Sequence, residues 1–166
     1  MTASPDMACP QDGAAARLRL RLPAHHFAVR LARARVRCCA VGVGLEEGEL
    51  DRLEFVVGEL LSNAVDHGGG QRALGAEDWD GRMHMWLEFD CRAVGWSLRV
   101  EDEGGGDPER LRPLLMSPGG LPDLDDERGR GFFLIQSMLD SLKVDSARNG
   151  KGIALIAEVI LPARLA

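Results

Sequence analysis

Alternating apolar and polar residues predict that much of this chain forms β-strands. Residues 17–22, RLRLRL, alternate strictly and predict a half-exposed strand, typical of a sheet edge. Residues 83–90 and 96–101 alternate in the same way on either side of a short link, which predicts a β-hairpin. Residues 142–146 and 153–161 surround an Asn-Gly turn and predict a second pair of strands. The last strand is apolar on both faces apart from one glutamate, so we expect it in the middle of the sheet.

Helical spacing predicts three helices between these strands. The first has an apolar stripe on one side and arginines on another, which predicts an amphipathic helix with a cationic outer face. The stripe consists of Phe27, Leu31, Ala34, Cys38 and Val41, and the cationic face of Arg30, Arg33 and Arg37. The second helix runs from 46 to 67, with acids in its first turn and an apolar stripe of Leu53, Val57, Leu60 and Ala64. Residues 131–141 predict the third helix. Residues 103–130 contain four prolines and show neither helical nor strand periodicity, and a segment of this length without regular structure is commonly a functional loop.

The order of these elements is strand, two helices, two strands, loop, helix and two strands. We therefore predict an α+β fold, a two-layer α/β sandwich with an antiparallel or mixed β-sheet and the helices on one face. A length of 166 residues suits one domain. We assign the domain to residues 17–166 and expect residues 1–16 to form a disordered leader.

Composition narrows the location and the class of partner. There is no apolar run long enough to span a bilayer and no secretory signal pattern, so we expect a cytoplasmic protein with reduced cysteines and no membrane partner. The formal net charge of −6 argues against direct nucleic-acid binding. Charge is uneven, however, because residues 13–45 contain seven arginines and no acid, and residues 123–127 contain four acids. Each run is either a partner surface or the solvated face of an ordinary element.

Several common nucleotide and metal signatures are absent from the sequence. It contains no G-x-x-x-x-G-K-[ST] loop, no G-x-G-x-x-G that opens a helix after the first strand, and no H-E-x-x-H. A phosphate-loop enzyme, a dinucleotide enzyme and a helix-borne zinc protease are therefore not expected.

Polar side chains gather on one side of the second predicted helix. Glu59, Asn63 and His67 follow one another at intervals of four residues, so they lie along one side of the helix on a line that turns slowly around it. Asp66 lies one turn from Asn63. This segment alone is compatible with a ligand-binding face and with a solvated face.

An acidic residue ends the first hairpin. Asp102 continues the alternation of the inward-facing apolar residues before it, so its side chain is expected to point toward the core. Burying a carboxylate there costs free energy unless a group hydrogen-bonds to it. An adenine amino group is one suitable donor. The glycines at 104–106 let the backbone turn and approach a ligand closely, although a plain β-turn is the alternative.

Glycines and arginines lead into the third predicted helix. Residues 128–135 are RGRGFFLI, and the backbone N–H groups at such a helix start form an anion site together with the helix dipole. Arg128 and Arg130 would add bidentate phosphate contacts. The alternative, a loop with a glycine-rich helix start, gives these arginines no role.

In this order and spacing, the three segments resemble the N, G1 and G2 boxes of the histidine-kinase-like (GHKL) ATPase superfamily. The resemblance covers about residues 17–161 and implies the Bergerat-type ATP-binding fold. Within the superfamily, the chain looks most like the anti-sigma-factor serine/threonine protein kinases. The segments that carry this likeness are 59–67, 100–108 (V-x-D-x-G-x-G-D-P) and 128–140 (R-G-R-G-F-F-L-I-x-x-M-x-D).

The resemblance implies a role for each matching residue. Asn63 would coordinate Mg²⁺ between the nucleotide phosphates, Glu59 would orient or deprotonate the attacking hydroxyl, and Asp102 would bind the adenine amino group. The other residues implied to contact the nucleotide are Asp66, His67, Gly104, Gly106, Arg128, Gly129, Arg130, Gly131 and Phe132. Residues 107–128 would form a mobile ATP lid. One departure is the run 150–152, Gly-Lys-Gly, which lacks the hydroxyl residue that the family often has there.

The resemblance also implies a function. The domain would use ATP and Mg²⁺ to phosphorylate a Ser or Thr of a small anti-sigma-antagonist protein, and would sequester a sigma factor or an analogous regulator. A homodimer through the sheet edge is a further expectation from the family. The alternative hypothesis is a non-catalytic ATP/ADP-binding partner-switch module. Direct nucleic-acid binding by the arginine-rich first helix is a third hypothesis, which the net charge disfavours.

Overall fold

The computed structural model describes residues 15–68, 83–116 and 133–162. The strands are β1 (Ala15–Pro23), β2 (His84–Arg92), β3 (Gly95–Glu101), β4 (Ser141–Ser146) and β5 (Ile153–Ile160). The helices are α1 (His26–Val43), α2 (Glu47–Gly68) and α3 (Pro108–Met116), and residues 133–137 are also helical. The predicted α+β class is confirmed.

The five strands form one sheet in the order β1-β2-β3-β5-β4. Every neighbouring pair of these strands is antiparallel, so of the two predicted pairings, antiparallel and mixed, the antiparallel one is confirmed and the mixed one is wrong. The antiparallel pairing of β1 with β2 follows from the two helices between them, which were predicted. Helix α1 carries the chain back along the sheet and α2 returns it, so β2 starts at the end where β1 stopped. The predicted edge position of β1 is confirmed, and β5 is an interior strand between β3 and the edge strand β4 rather than the middle strand.

The core lies between one face of the sheet and the helices α1 and α2. Alternate strand residues point into it, as the period of two predicts, and Leu87, Phe89 and Leu98 are almost completely buried. The predicted stripe of α2 is buried at Leu53, Val57, Leu60 and Ala64. Each large apolar side chain buried in this way stabilises the fold by about 1.5–3 kcal/mol. This packing fixes the rotation of α2 and therefore the direction of its polar side chains.

Helix α1 buries a different face from the one that its spacing predicts. Phe27, Leu31 and Val41 of the predicted stripe are 48%, 54% and 54% exposed, and Ala34 and Cys38 are exposed too. The buried residues are Ala28, Val29, Ala32, Val36, Cys39 and Ala40. Both sets recur at helical spacing, but the buried set covers the wider arc, as a core-facing helix requires. The outer side of α1 is therefore apolar as well as cationic.

The other differences concern where elements begin and end. Ala15 and Ala16, predicted to belong to the leader, are part of β1. The predicted loop 103–130 contains α3, whose start is capped because the Asp107 carboxylate accepts a hydrogen bond from the Glu109 N–H at 3.0 Å. The predicted helix 131–141 is helical at 133–137, and its last residue already belongs to β4. No helix within the described ranges combines the length and hydropathy needed to cross a bilayer.

Candidate active site

The polar residues of α2 lie along one edge of the helix, beside its buried face. Glu59 and Asn63 are one turn apart, and both are half-buried. Arg52 lies on the same edge two turns before Glu59, and its Nε donates a hydrogen bond to the Met138 carbonyl oxygen at 2.5 Å. Within the described ranges, neither Glu59 nor Asn63 makes a side-chain hydrogen bond or an ion pair. A half-buried carboxylate and a half-buried amide that have no partner among the described residues are suited to a polar ligand.

Asp66 is engaged by the start of α1. His26 Nε2 and Asp66 Oδ1 are 2.9 Å apart, and the two side chains are 44% and 41% exposed. This hydrogen bond gives Asp66 a partner forty residues away, which the local sequence could not show. The His67 side chain lies outside the described residues, so its predicted nucleotide contact stays a prediction.

Asp102 follows β3 directly and is held against the start of β5. Its Oδ1 accepts hydrogen bonds from the N–H groups of Gly104 at 2.8 Å and Ile153 at 3.2 Å, and its own N–H donates to the Ile153 carbonyl oxygen at 3.1 Å. Burial raises the pKa of the Asp102 carboxyl, although the two backbone donors act in the opposite direction. Among the described residues, no donor reaches Oδ2. One carboxylate oxygen therefore remains available to accept a hydrogen bond from a ligand.

Two glycines allow this close packing around Asp102. A Cβ on Gly152 would lie 2.1 Å from the Asp102 carbonyl oxygen and 2.5 Å from its Oδ1. A Cβ on Gly106 would lie 2.3 Å from Cδ1 of Ile153. Sequence reasoning noted Gly152 only as part of a run without a hydroxyl, and it missed Ile153. Gly152, a second glycine shortly after the Asn-Gly turn, was the sole local signal of this contact. The partner of Gly152 and Ile153 is Asp102, which lies about fifty positions earlier in the sequence.

The end of α2 and the end of β3 lie at the same end of the sheet. Three hydrogen bonds connect them in sequence: Asp66 with His26, Ala24 N–H with the Met83 carbonyl oxygen, and His84 N–H with Glu103 Oε2. At the other end of the sheet, Trp96 Nε1 donates to Glu49 Oε2 at 3.5 Å, so β3 and α2 also start together. From these starting points, Asn63 is about 21 Å along α2 and Asp102 about 20 Å along β3. The first two predicted polar segments therefore lie toward the same end of the sheet.

The third predicted segment cannot be compared in the same way. Its residues, Arg128, Gly129, Arg130, Gly131 and Phe132, lie outside the described residues, so their phosphate contacts stay predictions. The described chain resumes at Phe133 and reaches Met138, whose carbonyl oxygen binds Arg52. The described residues 133–138 therefore reach α2 at Arg52, two turns before Glu59.

A shallow depression lies on the helix-free face of the sheet, away from these residues. Charged side chains line it and neutralise one another, as in the Arg17–Asp90 pair at 2.7 Å and the Arg19–Glu88 pair at 3.2 Å. Of the predicted site residues that the structure describes, none lines it. Because its charges are already paired, the depression offers little net attraction to a polyphosphate.

Comparison with known protein families decides the class of this site. Residues 22–157 match the family model described as the histidine kinase-like ATPase domain. The chain belongs to the histidine kinase-like ATPase family. The match includes Glu59, Asn63 and Asp102, and it confirms the superfamily that the three segments resemble. Membership in the narrower anti-sigma kinase group stays a prediction, and a search of curated proteins found no match.

Membership in the histidine kinase-like ATPase family implies that this domain binds ATP. The residues around Asp102 fit the base end of that ligand, because a half-buried carboxylate presents one oxygen that no donor of the described residues reaches, beside the backbone of Gly104 and Gly152. The edge of α2 fits the other end, because Asn63 and Glu59 offer the hard oxygen donors that Mg²⁺ prefers.

Proposed function

We propose that this histidine kinase-like ATPase domain is a protein serine/threonine kinase of the anti-sigma type. It would use ATP and Mg²⁺ to phosphorylate a small anti-sigma-antagonist protein and would sequester a sigma factor or an analogous regulator. Phosphorylation would release the antagonist and leave the kinase able to hold its other partner. The observation that carries the proposal is that Glu59 and Asn63 lie one turn apart on one edge of α2, a helix that starts beside β3 and runs toward the end of the sheet where Asp102 lies.

The spacing of these two residues suits phosphoryl transfer. Asn63 would hold Mg²⁺ through its amide oxygen, and the ion would neutralise charge on the transferring phosphoryl group. Glu59, one turn away, would orient the Ser or Thr hydroxyl and accept its proton. A bond forms between the hydroxyl oxygen and the γ-phosphorus, the bond from that phosphorus to the β–γ bridging oxygen breaks, and ADP leaves. The protein contributes position and charge rather than a covalent intermediate.

The rest of the site would hold the nucleotide. Asp102 Oδ2 would accept a hydrogen bond from the adenine amino group, while Oδ1 stays fixed by its two backbone donors. Gly104 and Gly106 would lie against the base. The predicted phosphate contacts of residues 128–132 complete the proposal.

The proposal is tested by separating ATP binding from phosphate transfer. The domain is immobilised with ATP or ADP, captured proteins are identified by mass spectrometry, and labelled phosphate from ATP is followed onto them. Glu59→Gln should bind ATP with unchanged affinity but transfer phosphate about 10²–10⁴-fold more slowly, because the general base is lost. Asn63→Ala should weaken ATP binding when Mg²⁺ is present and have little effect in EDTA.

Glu54→Gln is the matched control, because it makes the same chemical change on the same helix. Glu54 faces α1, where its Oε2 lies 3.0 Å from Arg37 Nη1. The Glu54→Gln variant should therefore transfer phosphate at the rate of the wild type. ATP binding by the wild-type domain without transfer to any captured protein would refute the kinase and support the partner-switch module. Equal loss of transfer in both glutamate variants would refute the assignment of Glu59.

A further inference from the structure

Helix α1 has a second apolar face that does not contribute to the core. Its residues are Phe27, Leu31, Ala34, Cys38 and Val41, which we call the outer stripe, and all five are exposed. Burial of the opposite face through the six residues named above already anchors α1 in the fold. The outer stripe therefore contributes little to folding, although it exposes a phenylalanine, a leucine and a valine on a single helix.

The spacing along the outer stripe is that of a helix–helix seam. Successive members are separated by four, three, four and three residues, which is the pattern of a and d positions in a coiled coil. The stripe extends for about 21 Å along the helix. The short side chains of Ala34 and Cys38 lie between larger ones and leave a notch that can receive side chains of an opposing helix. A flat lipid surface would gain little from so narrow a stripe with a small centre.

Arginines flank the outer stripe on both sides. At 100° per residue, Arg30 lies on one side of the stripe and Arg35 on the other, with Arg33 further round beside α2. All three are exposed, and among the described residues no carboxylate lies within ion-pair distance of them. Arg37 contrasts with them, because it is paired with Glu47 and Glu54 of α2.

From this arrangement we infer that the outer stripe of α1 is a docking site for an amphipathic helix of another protein, one with acidic residues beside its own apolar stripe. Apolar side chains of the partner would enter the seam, and its carboxylates would pair with Arg30 and Arg35. A second copy of this chain is a poor occupant, because either orientation of two α1 helices would bring arginines against arginines. The inference is independent of the nucleotide site and of the proposed kinase activity.

The experiment uses the full chain and a designed three-heptad peptide with Leu at positions a and d and Glu at e and g. A second peptide with Lys in place of Glu is the charge control. Binding of each labelled peptide is measured by fluorescence anisotropy at low and high salt. The Glu peptide should bind more tightly than the Lys peptide, and its affinity should fall as salt screens the charges.

Substitutions within the outer stripe and beside it test the two parts of the inference. Leu31→Glu should lower the affinity for the Glu peptide by about tenfold or more, because a charge enters the apolar seam. Val94→Glu, at a turn residue that is 66% exposed on another surface, should change the affinity by less than about twofold. Arg30→Glu combined with Arg35→Glu should reverse the preference, so that the Lys peptide binds better. All these positions are exposed, and thermal unfolding followed by circular dichroism checks that each variant folds.

Four results would overturn the inference. The first is an absence of Glu-peptide binding to the wild-type chain, and the second is equal binding by Leu31→Glu and Val94→Glu. The third is sedimentation of the chain as a dimer that Leu31→Glu dissociates, which would make a second copy the occupant. The fourth is tighter binding to phosphatidylserine vesicles or duplex DNA than to the Glu peptide, lost in Leu31→Glu, which would assign the face to a membrane or to nucleic acid.

Discussion

Replacing Gly152 by alanine tests whether the contact between the β4–β5 turn and Asp102 maintains the nucleotide site. The added Cβ would lie 2.1 Å from the Asp102 carbonyl oxygen and 2.5 Å from its Oδ1. The two segments would have to separate by about 1 Å to reach ordinary contact distance in a close-packed interior. The neighbouring atoms are backbone and a short, hydrogen-bonded side chain, so no flexible side chain can move aside instead.

The expected cost has two parts. Overpacking of a tight site costs about 1–3 kcal/mol. Separation also weakens the hydrogen bond from Ile153 N–H to Asp102 Oδ1, now 3.2 Å, and hydrogen bonds to charged groups contribute about 1.5–3 kcal/mol. We expect Gly152→Ala to lower the free energy of unfolding by about 2–4 kcal/mol and to weaken ATP binding by about tenfold or more.

Two glycines of the neighbouring loop provide the controls. A Cβ on Gly105 would meet nothing within 4 Å, so Gly105→Ala should stay within about 0.5 kcal/mol of the wild type. Gly106→Ala should lie between the two, because the atom that it meets is the end of the Ile153 side chain, which can rotate. Urea unfolding and calorimetric ATP titration measure both effects. If Gly152→Ala behaved like Gly105→Ala in both assays, the close approach would have no energetic meaning.

Two further predictions concern Asp102, at the end of the sheet that carries the nucleotide site, and the Arg148–Glu88 ion pair on the helix-free face. Because burial raises the pKa of the Asp102 carboxyl, the wild type should lose stability relative to Asp102→Asn as the pH rises from acid to neutral, and a pH-independent difference in urea unfolding would contradict this. The variant should also bind ATP more weakly and lose less affinity for GTP, which nucleotide titrations measure. The Arg148 guanidinium lowers the pKa of the Glu88 carboxyl through bonds of 2.5 Å to both oxygens, so its stabilisation is present above the unfolded pKa of Glu88 and is lost as the pH falls through the lowered value. Arg148→Ala should therefore destabilise the fold by up to about 1 kcal/mol at neutral pH and by less in acid, and a difference that grew on acidification would exclude this origin.

Local sequence pattern was sufficient to predict most of the elements and the class of site. Strands with strict alternation, such as β1 and β2, were predicted because a period of two leaves only one face for the core. The apolar run of β5 predicted an interior strand, and β5 does pair with β3 and β4, although its second face lies on the helix-free side of the sheet, where Ile160 is 74% exposed. Asp102 was recognised because its carboxyl ends an apolar row, and Glu59 and Asn63 because they share a polar stripe that resembles a family motif. The family match then confirmed the superfamily.

Tertiary structure alone decided which of two competing patterns was used. Helix α1 has two apolar faces at helical spacing, and only packing against α2 and the sheet shows that the wider one is buried. The same holds for contacts between distant residues. The His26–Asp66 hydrogen bond and the approach of Gly152 to Asp102 join segments forty to fifty residues apart, and no local periodicity encodes such pairs. A sequence pattern states which faces a segment has, whereas long-range packing selects the face that is buried and the residues that meet.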